Sequence, residues 1–341
     1  MPDYPSQADG MKGGPLLLLF LTLLAAGCNR LATMESSPPE RATYRVVHGW
    51  PILPDGHMLG QATGVGVDSR NHVFVFHRAG REWTDSFPSD PIPAATVAVF
   101  DGVTGQQVAA WGANQFIMPH GLTIDSRDNV WLTDVGRHQV YKFSSDGRLI
   151  FALGEAGVPG DDRSHFNLPT DVAVLPDGNF YVSDGYENTR VVKYSANGEY
   201  LFQWGTKGSG PGQFDLPHGI GVDEAGRVYV ADRTNARVQV FDGAGKFLAE
   251  WKSPDLGRPY AVALGSQAKA FVVDGGDQPP APPDRSRAFR LGLDGRIEAT
   301  FGRFGNYDGQ FVLGHDIAVG ADDAVYVVDA WGNRVQKFVP Q

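Results

Sequence analysis

A single cysteine, Cys28, stands among 341 residues, so no disulfide can brace the fold and stability must come from a packed core. Basic clusters are missing as well: 29 Lys and Arg stand against 39 Asp and Glu, a formal charge of −10. With no basic run or basic helix, composition speaks against a nucleic-acid partner. The apolar run from Leu16 to Gly27 is too short to span a bilayer comfortably. Helical periodicity is almost absent, which points to an all-β chain.

The apolar run, small residues and Cys28 together read as a signal peptide over residues 1–28 with a lipobox-like cysteine. That predicts export to the cell envelope or periplasm and a lipid anchor through Cys28. Asp3 and Asp9 weaken the positive start from Met1, and Met11-Lys12 offers a better one. Residues 29–42, with Ser37, Pro38 and Pro39, read as a flexible tether, leaving residues 43–341 as one domain.

That domain repeats. Each unit opens with a short strand such as Gly121-Leu122-Thr123-Ile124, turns, and enters a second strand ending in Asp134, Asp184, Asp232, Asp274 or Asp329. Two further short strands follow, the last ending in pairs such as Trp111-Gly112 or Trp204-Gly205. Four strands at a period near 50 residues are the signature of propeller blades. Openings at Thr63, His120, Thr170, His218, Tyr260 and His315 give six blades. The last blade runs out after three strands, and Tyr44–Trp50 resembles a missing fourth, so the N-terminal strand is expected to close the ring. The repeated Asp reads as a cap on backbone N–H groups, because a residue needed in every blade serves the blade.

Function is sought where the repeats differ. His120, His218 and His315 occupy one repeat position at separations of 98 and 97 residues, in alternate blades. Alternate blades of six lie a third of a turn apart, so three imidazoles converge on the axis. Three protein ligands with an open fourth position describe a catalytic zinc site. His48, His57, His72, His138 and His165 lack this symmetry and read as ordinary polar residues. The first blade carries His77-Arg78 where the fourth has Asp232-Arg233, placing two guanidiniums on one rim, and Asp184-Gly185-Tyr186 brings a tyrosine to the same rim.

These residues resemble the NHL-repeat propellers of the peptidyl-α-hydroxyglycine α-amidating lyase family. The resemblance runs from about Gly60 to Phe338. It rests on Phe76-His77-Arg78, Met118-Pro119-His120-Gly121-Leu122, Pro169–Val174, Ser183-Asp184-Gly185-Tyr186, Leu216-Pro217-His218, Ala231-Asp232-Arg233 and His315-Asp316-Ile317. It implies catalytic zinc on His120, His218 and His315, with Tyr186 as base and Arg78 and Arg233 as active-site cations. It also implies structural calcium on the main-chain carbonyls of Val65 and Leu122 and the carboxylate of Asp316. The implied reaction cleaves the N–Cα bond of a peptide or small molecule ending in an α-hydroxyglycine-like group, giving an amide and glyoxylate, and the chain is expected to act as a monomer.

Two departures stand out: Leu313-Gly314 precedes His315 where the family has Met and Pro, and animal members carry disulfides near the tyrosine loop and the fourth blade, a neighbourhood that Glu187, Val228 and Val238 occupy here without any cysteine. Other readings of the same propeller are a metal-dependent hydrolase or lactonase, and a non-catalytic envelope protein that binds a ligand or a partner on its rim.

Overall fold

The computed structural model describes residues 43–276 and 285–341. The signal peptide, Cys28 and the tether lie outside the described residues. Among those described, every regular element is a strand, and 24 strands form six four-stranded antiparallel sheets. The chain is therefore a six-bladed β-propeller, as its repeats predict.

Most strands do not alternate apolar and polar residues, because each blade is covered on both faces by its neighbours. Val228–Asp232 is buried at every position, whereas the outermost strand of the same blade, Phe247–Trp251, is largely exposed. The core consequently lies between blades rather than within them. Phe74, Phe76, Val97 and Val99 of the first blade pack against Leu122, Val130, Leu132 and Phe143 of the second.

Ring closure follows the expected route. Tyr44–Val46 pairs antiparallel with Arg334–Pro340, in the register Tyr44 to Pro340 and Val46 to Phe338. Two backbone bonds extend the ladder, Val47 N–H to Lys337 O and Gln341 N–H to Thr43 O. The Tyr44 ring stacks on Phe301 at 4.6 Å. Buried Trp50 lies 5.0 Å from Tyr326 and 6.1 Å from Phe100, joining the last blade to the first. Gly105 permits this: its φ is +77°, and a β-carbon there would come within 2.7 Å of the indole.

The strand-end aspartates cap backbone N–H groups as expected, and in doing so they position the site. Asp134 accepts from Ile117 and Met118 N–H at 2.6 and 2.9 Å, just ahead of His120. Asp232 accepts from Asp215 N–H, ahead of His218, and Asp329 from Val312 and Leu313 N–H, ahead of His315. Buried arginines flank two of these carboxylates, Arg190 at Asp184 and Arg237 at Asp232.

Candidate metal centre and its rim

His120, His218 and His315 each stand second in the innermost strand of blades two, four and six, and all three are buried. One ring nitrogen from each falls in a group whose members all lie within 4.8 Å of one another. Their Nδ1 atoms point away, to the main-chain oxygens of Thr170, Tyr260 and Thr63, each at 2.7 Å. A carbonyl only accepts, so every Nδ1 carries the proton and every Nε2 presents a lone pair. Burial drives His120 and His218 well below the usual imidazole range and His315 to about 3, and the charge of Arg233 lowers all three. Three neutral imidazoles with converging Nε2 lone pairs make a donor set that suits a metal ion.

Tyr186 reaches the triad from the rim. Its hydroxyl is 3.0 Å from Nε2 of His120 and 3.3 Å from Nε2 of His218. Arg78 is buried, donating from Nε to Pro119 O at 3.1 Å and from Nη1 to Gln61 Oε1 at 2.7 Å. Burial lowers its pKa to about 10, so it stays cationic at neutral pH, and Tyr186 acts in the opposite sense. Arg233 lies with its guanidinium 4.1 Å from the centroid of Tyr260, whose ring is in turn 4.8 Å from that of His218. The structure thus gathers all six residues expected at the zinc site around one end of the channel.

One residue further along the innermost strands, Asp316 and Asp171 line the same channel, with Val65 and Leu122 beside them in a cavity of about 230 Å³. Asp316 accepts from the N–H groups of Val65 and Ile317; Asp171 accepts from those of Val172 and Ile220. Burial raises Asp171 to about 7 and Asp316 well above the carboxylate range, the latter helped by the charge of Asp171. Sequence reasoning missed Asp171 as a site residue. The signal was present, since Thr170-Asp171 and His315-Asp316 share one repeat register in opposite blades. Gln61 and Trp83, which hold Arg78, were missed too, and no repeat pattern marks either.

An NHL-repeat family model matches residues 116–143, 166–194 and 214–241. Peptidyl-alpha-hydroxyglycine alpha-amidating lyase 2 of Drosophila melanogaster is 34% identical over 321 residues, covering 86% of this chain and 75% of that protein. The chain belongs to this lyase family. Peptidyl-glycine alpha-amidating monooxygenase B of Xenopus laevis is 39% identical over 306 residues, 83% of this chain but 34% of that protein. The chain thus spans about a third of the length of such larger relatives. Virginiamycin B lyase from Staphylococcus aureus shares the fold, with a TM-score of 0.54 over 87% of this chain and 98% of that one at 11% identity.

Against this lyase family, both departures have local explanations. Gly314 donates its N–H to Ser286 Oγ at 2.9 Å, a bond proline lacks, and a β-carbon there would sit 2.4 Å from Val273 Cγ2. Leu313 is buried with Val273 and Phe311 in the packing behind His315. The tyrosine loop has a polar anchor: Asn188 Nδ2 donates to Asp184 Oδ2 at 2.7 Å and to Gly160 O at 2.9 Å. Val228 and Val238 are buried apolar residues in the adjoining blade.

Proposed function

We propose that the chain is a zinc-dependent lyase that cleaves the N–Cα bond of peptidyl-α-hydroxyglycine-like substrates. The observation that carries this reading is the tyrosine hydroxyl within 3.0 and 3.3 Å of two of three converging, neutral imidazoles. Nε2 of His120, His218 and His315 would hold the zinc, which when bound supplies Lewis-acid polarisation of the substrate hydroxyl. Tyr186 takes the hydroxyl proton. The C–O bond becomes a carbonyl, the N–Cα bond breaks, and its electron pair passes to the amide nitrogen. That nitrogen regains a proton, leaving an amide and glyoxylate. Arg78 and Arg233 pair with the substrate carboxylate, where a planar guanidinium offers two parallel donors. Their charge also favours the phenolate form of Tyr186.

The channel carboxylates support a second, structural ion. Asp171 and Asp316 oppose each other's ionisation, a conflict that a divalent cation removes, and oxygen donors suit calcium. Asp316 with the main-chain oxygens of Val65 and Leu122 would hold it, and Asp171 adds a second carboxylate. The exported, lipid-anchored and monomeric state expected from the sequence belongs to the same proposal.

Metal analysis of the purified protein, followed by glyoxylate release from α-hydroxyhippurate, tests the reading. The expected result is about one zinc per chain and glyoxylate formation, both lost in His218→Ala. Zinc without glyoxylate would transfer the site to another metalloenzyme, and absence of zinc would favour a binding module.

A further inference from the structure

The connection between the second and third strands of the first blade, residues 78–96, is far longer than those of blades two, three, four and six, and the fifth blade's, residues 275–286, is also shorter. In blades two, three, four and six the same connection covers residues 135–138, 185–189, 233–236 and 330–333. Long connections in a compact domain tend to be functional. This one is pinned at several points. Arg81 Nη1 donates to the main-chain oxygens of Asp90 and Ile117, both at 2.8 Å, and Ile92 exchanges backbone bonds with Phe116 and Asn114.

The segment delivers Trp83 to the rim of the metal centre. The Trp83 ring centroid is 4.9 Å from that of Tyr186, tilted by 36°, and Arg78 Cζ lies 5.0 Å from it. Trp83 N–H donates to Gln61 Oε1 at 3.3 Å, the oxygen that also accepts from Arg78. Phe87 meets the indole edge-on at 4.9 Å, and Phe87 and Tyr186 together pack against Ile117, Met118 and Val135. Trp83 nonetheless keeps 36% of its surface exposed. An indole held by a cation, a phenol and a backbone bond, yet open on its remaining surface, is built to receive an apolar group.

We propose that Trp83 forms the wall of a subsite for the acyl side of the substrate, selecting aromatic or bulky apolar groups next to the scissile amide. This rests on the lyase reading above. The hydroxyl and carboxylate of the substrate are committed to the triad and the arginines, and the space that His120, His218 and His315 enclose with Tyr260, Asp171 and Asp316 is only about 10 Å³, too small for an acyl group. The acyl group therefore leaves toward the rim, past Tyr186, and comes to lie along Trp83. Aromatic stacking with burial of apolar surface is worth about tenfold in affinity.

The test compares N-benzoyl- and N-acetyl-α-hydroxyglycine as substrates of the zinc-loaded protein, beside calorimetric dissociation constants for N-benzoylglycine and N-acetylglycine, which need no turnover. Wild type is expected to prefer the benzoyl member of each pair. Trp83→Ala lowers kcat/KM and affinity for the benzoyl compounds about tenfold more than for the acetyl ones, and Trp83→Phe retains most of the preference. Equal losses on both compounds would make Trp83 a mere prop for Arg78 and Tyr186 and overturn the proposal. A wild type without preference in binding would overturn it as well. Selective binding lost in Trp83→Ala, with no glyoxylate from either compound, would uphold the subsite and sink the lyase.

Discussion

His120 and Thr170 belong to neighbouring blades, and Nδ1 of the one donates to the main-chain oxygen of the other at 2.7 Å. The same bond joins His218 to Tyr260 and His315 to Thr63. The tautomer that exposes Nε2 is thereby fixed by packing between blades, so occupancy of the centre and integrity of the ring are coupled. A ligand that binds only the folded state at 1,000 times its dissociation constant adds about 4 kcal/mol. Stripping the metal with a chelator is expected to lower Tm by about 6 °C, read by scanning calorimetry. An unchanged Tm would contradict the coupling.

Tyr186→Phe removes one hydroxyl at the mouth of the centre and leaves all three imidazoles. Zinc content is expected to stay at the wild-type level, while glyoxylate release falls by about 100-fold or more, the usual contribution of a positioned base. A variant with full activity would take Tyr186 out of the chemistry.

Asp316→Asn relieves the repulsion between the two channel carboxylates but replaces an anionic oxygen donor by a neutral one. Calcium is expected to raise the Tm of the wild type, and that rise to shrink or vanish in this variant. An unaltered calcium response would place the ion elsewhere.

His77 stands where five blades have Asp, and it carries a pH signature. Its Nδ1 accepts from Ala79 N–H at 3.2 Å, and burial lowers its pKa to about 4. An unfolded chain takes up that proton near the ordinary value of 6.5, so acid favours the unfolded state between these limits. His77 thus costs nothing above pH 6.5, and its burden grows as pH falls from 6.5 to 4, to about 3 kcal/mol. Denaturant titrations of wild type and His77→Asn at pH 7.5 and 4 are expected to show the wild type losing more stability by about that amount. Parallel losses would refute the assignment.

Trp50→Ala empties a buried site between the first and last blades and is expected to cost about 3–5 kcal/mol. Deleting residues 43–50 removes the pairing strand as well, and should leave a protein that fails to fold. A truncated chain that melts like the full-length one would refute closure by this strand.

Much of this molecule is legible in its sequence because a propeller writes one pattern six times. Repetition exposes the blade count, the capping role of Asp134 and its equivalents, and the departure of three positions to histidine. Arg78, Arg233 and Tyr186 emerge because they fall at fixed offsets from those caps. What repetition does not encode stays hidden: Trp83 and Gln61 act from non-repeating segments, and the carbonyls that fix the imidazoles belong to the backbone. Gly314 looks like a loss beside the family pattern until the bond to Ser286 and the closeness of Val273 are seen.

The alternation of imidazole donors with carbonyl acceptors around the axis makes the pair of blades the smallest working unit of this ring. Each pair supplies one lone pair to the centre and the latch that aims it. Losing one blade would break this alternation, while losing a neighbouring pair would leave only two imidazoles at the centre. With one imidazole from every second blade, six blades is the smallest number that brings three to the axis.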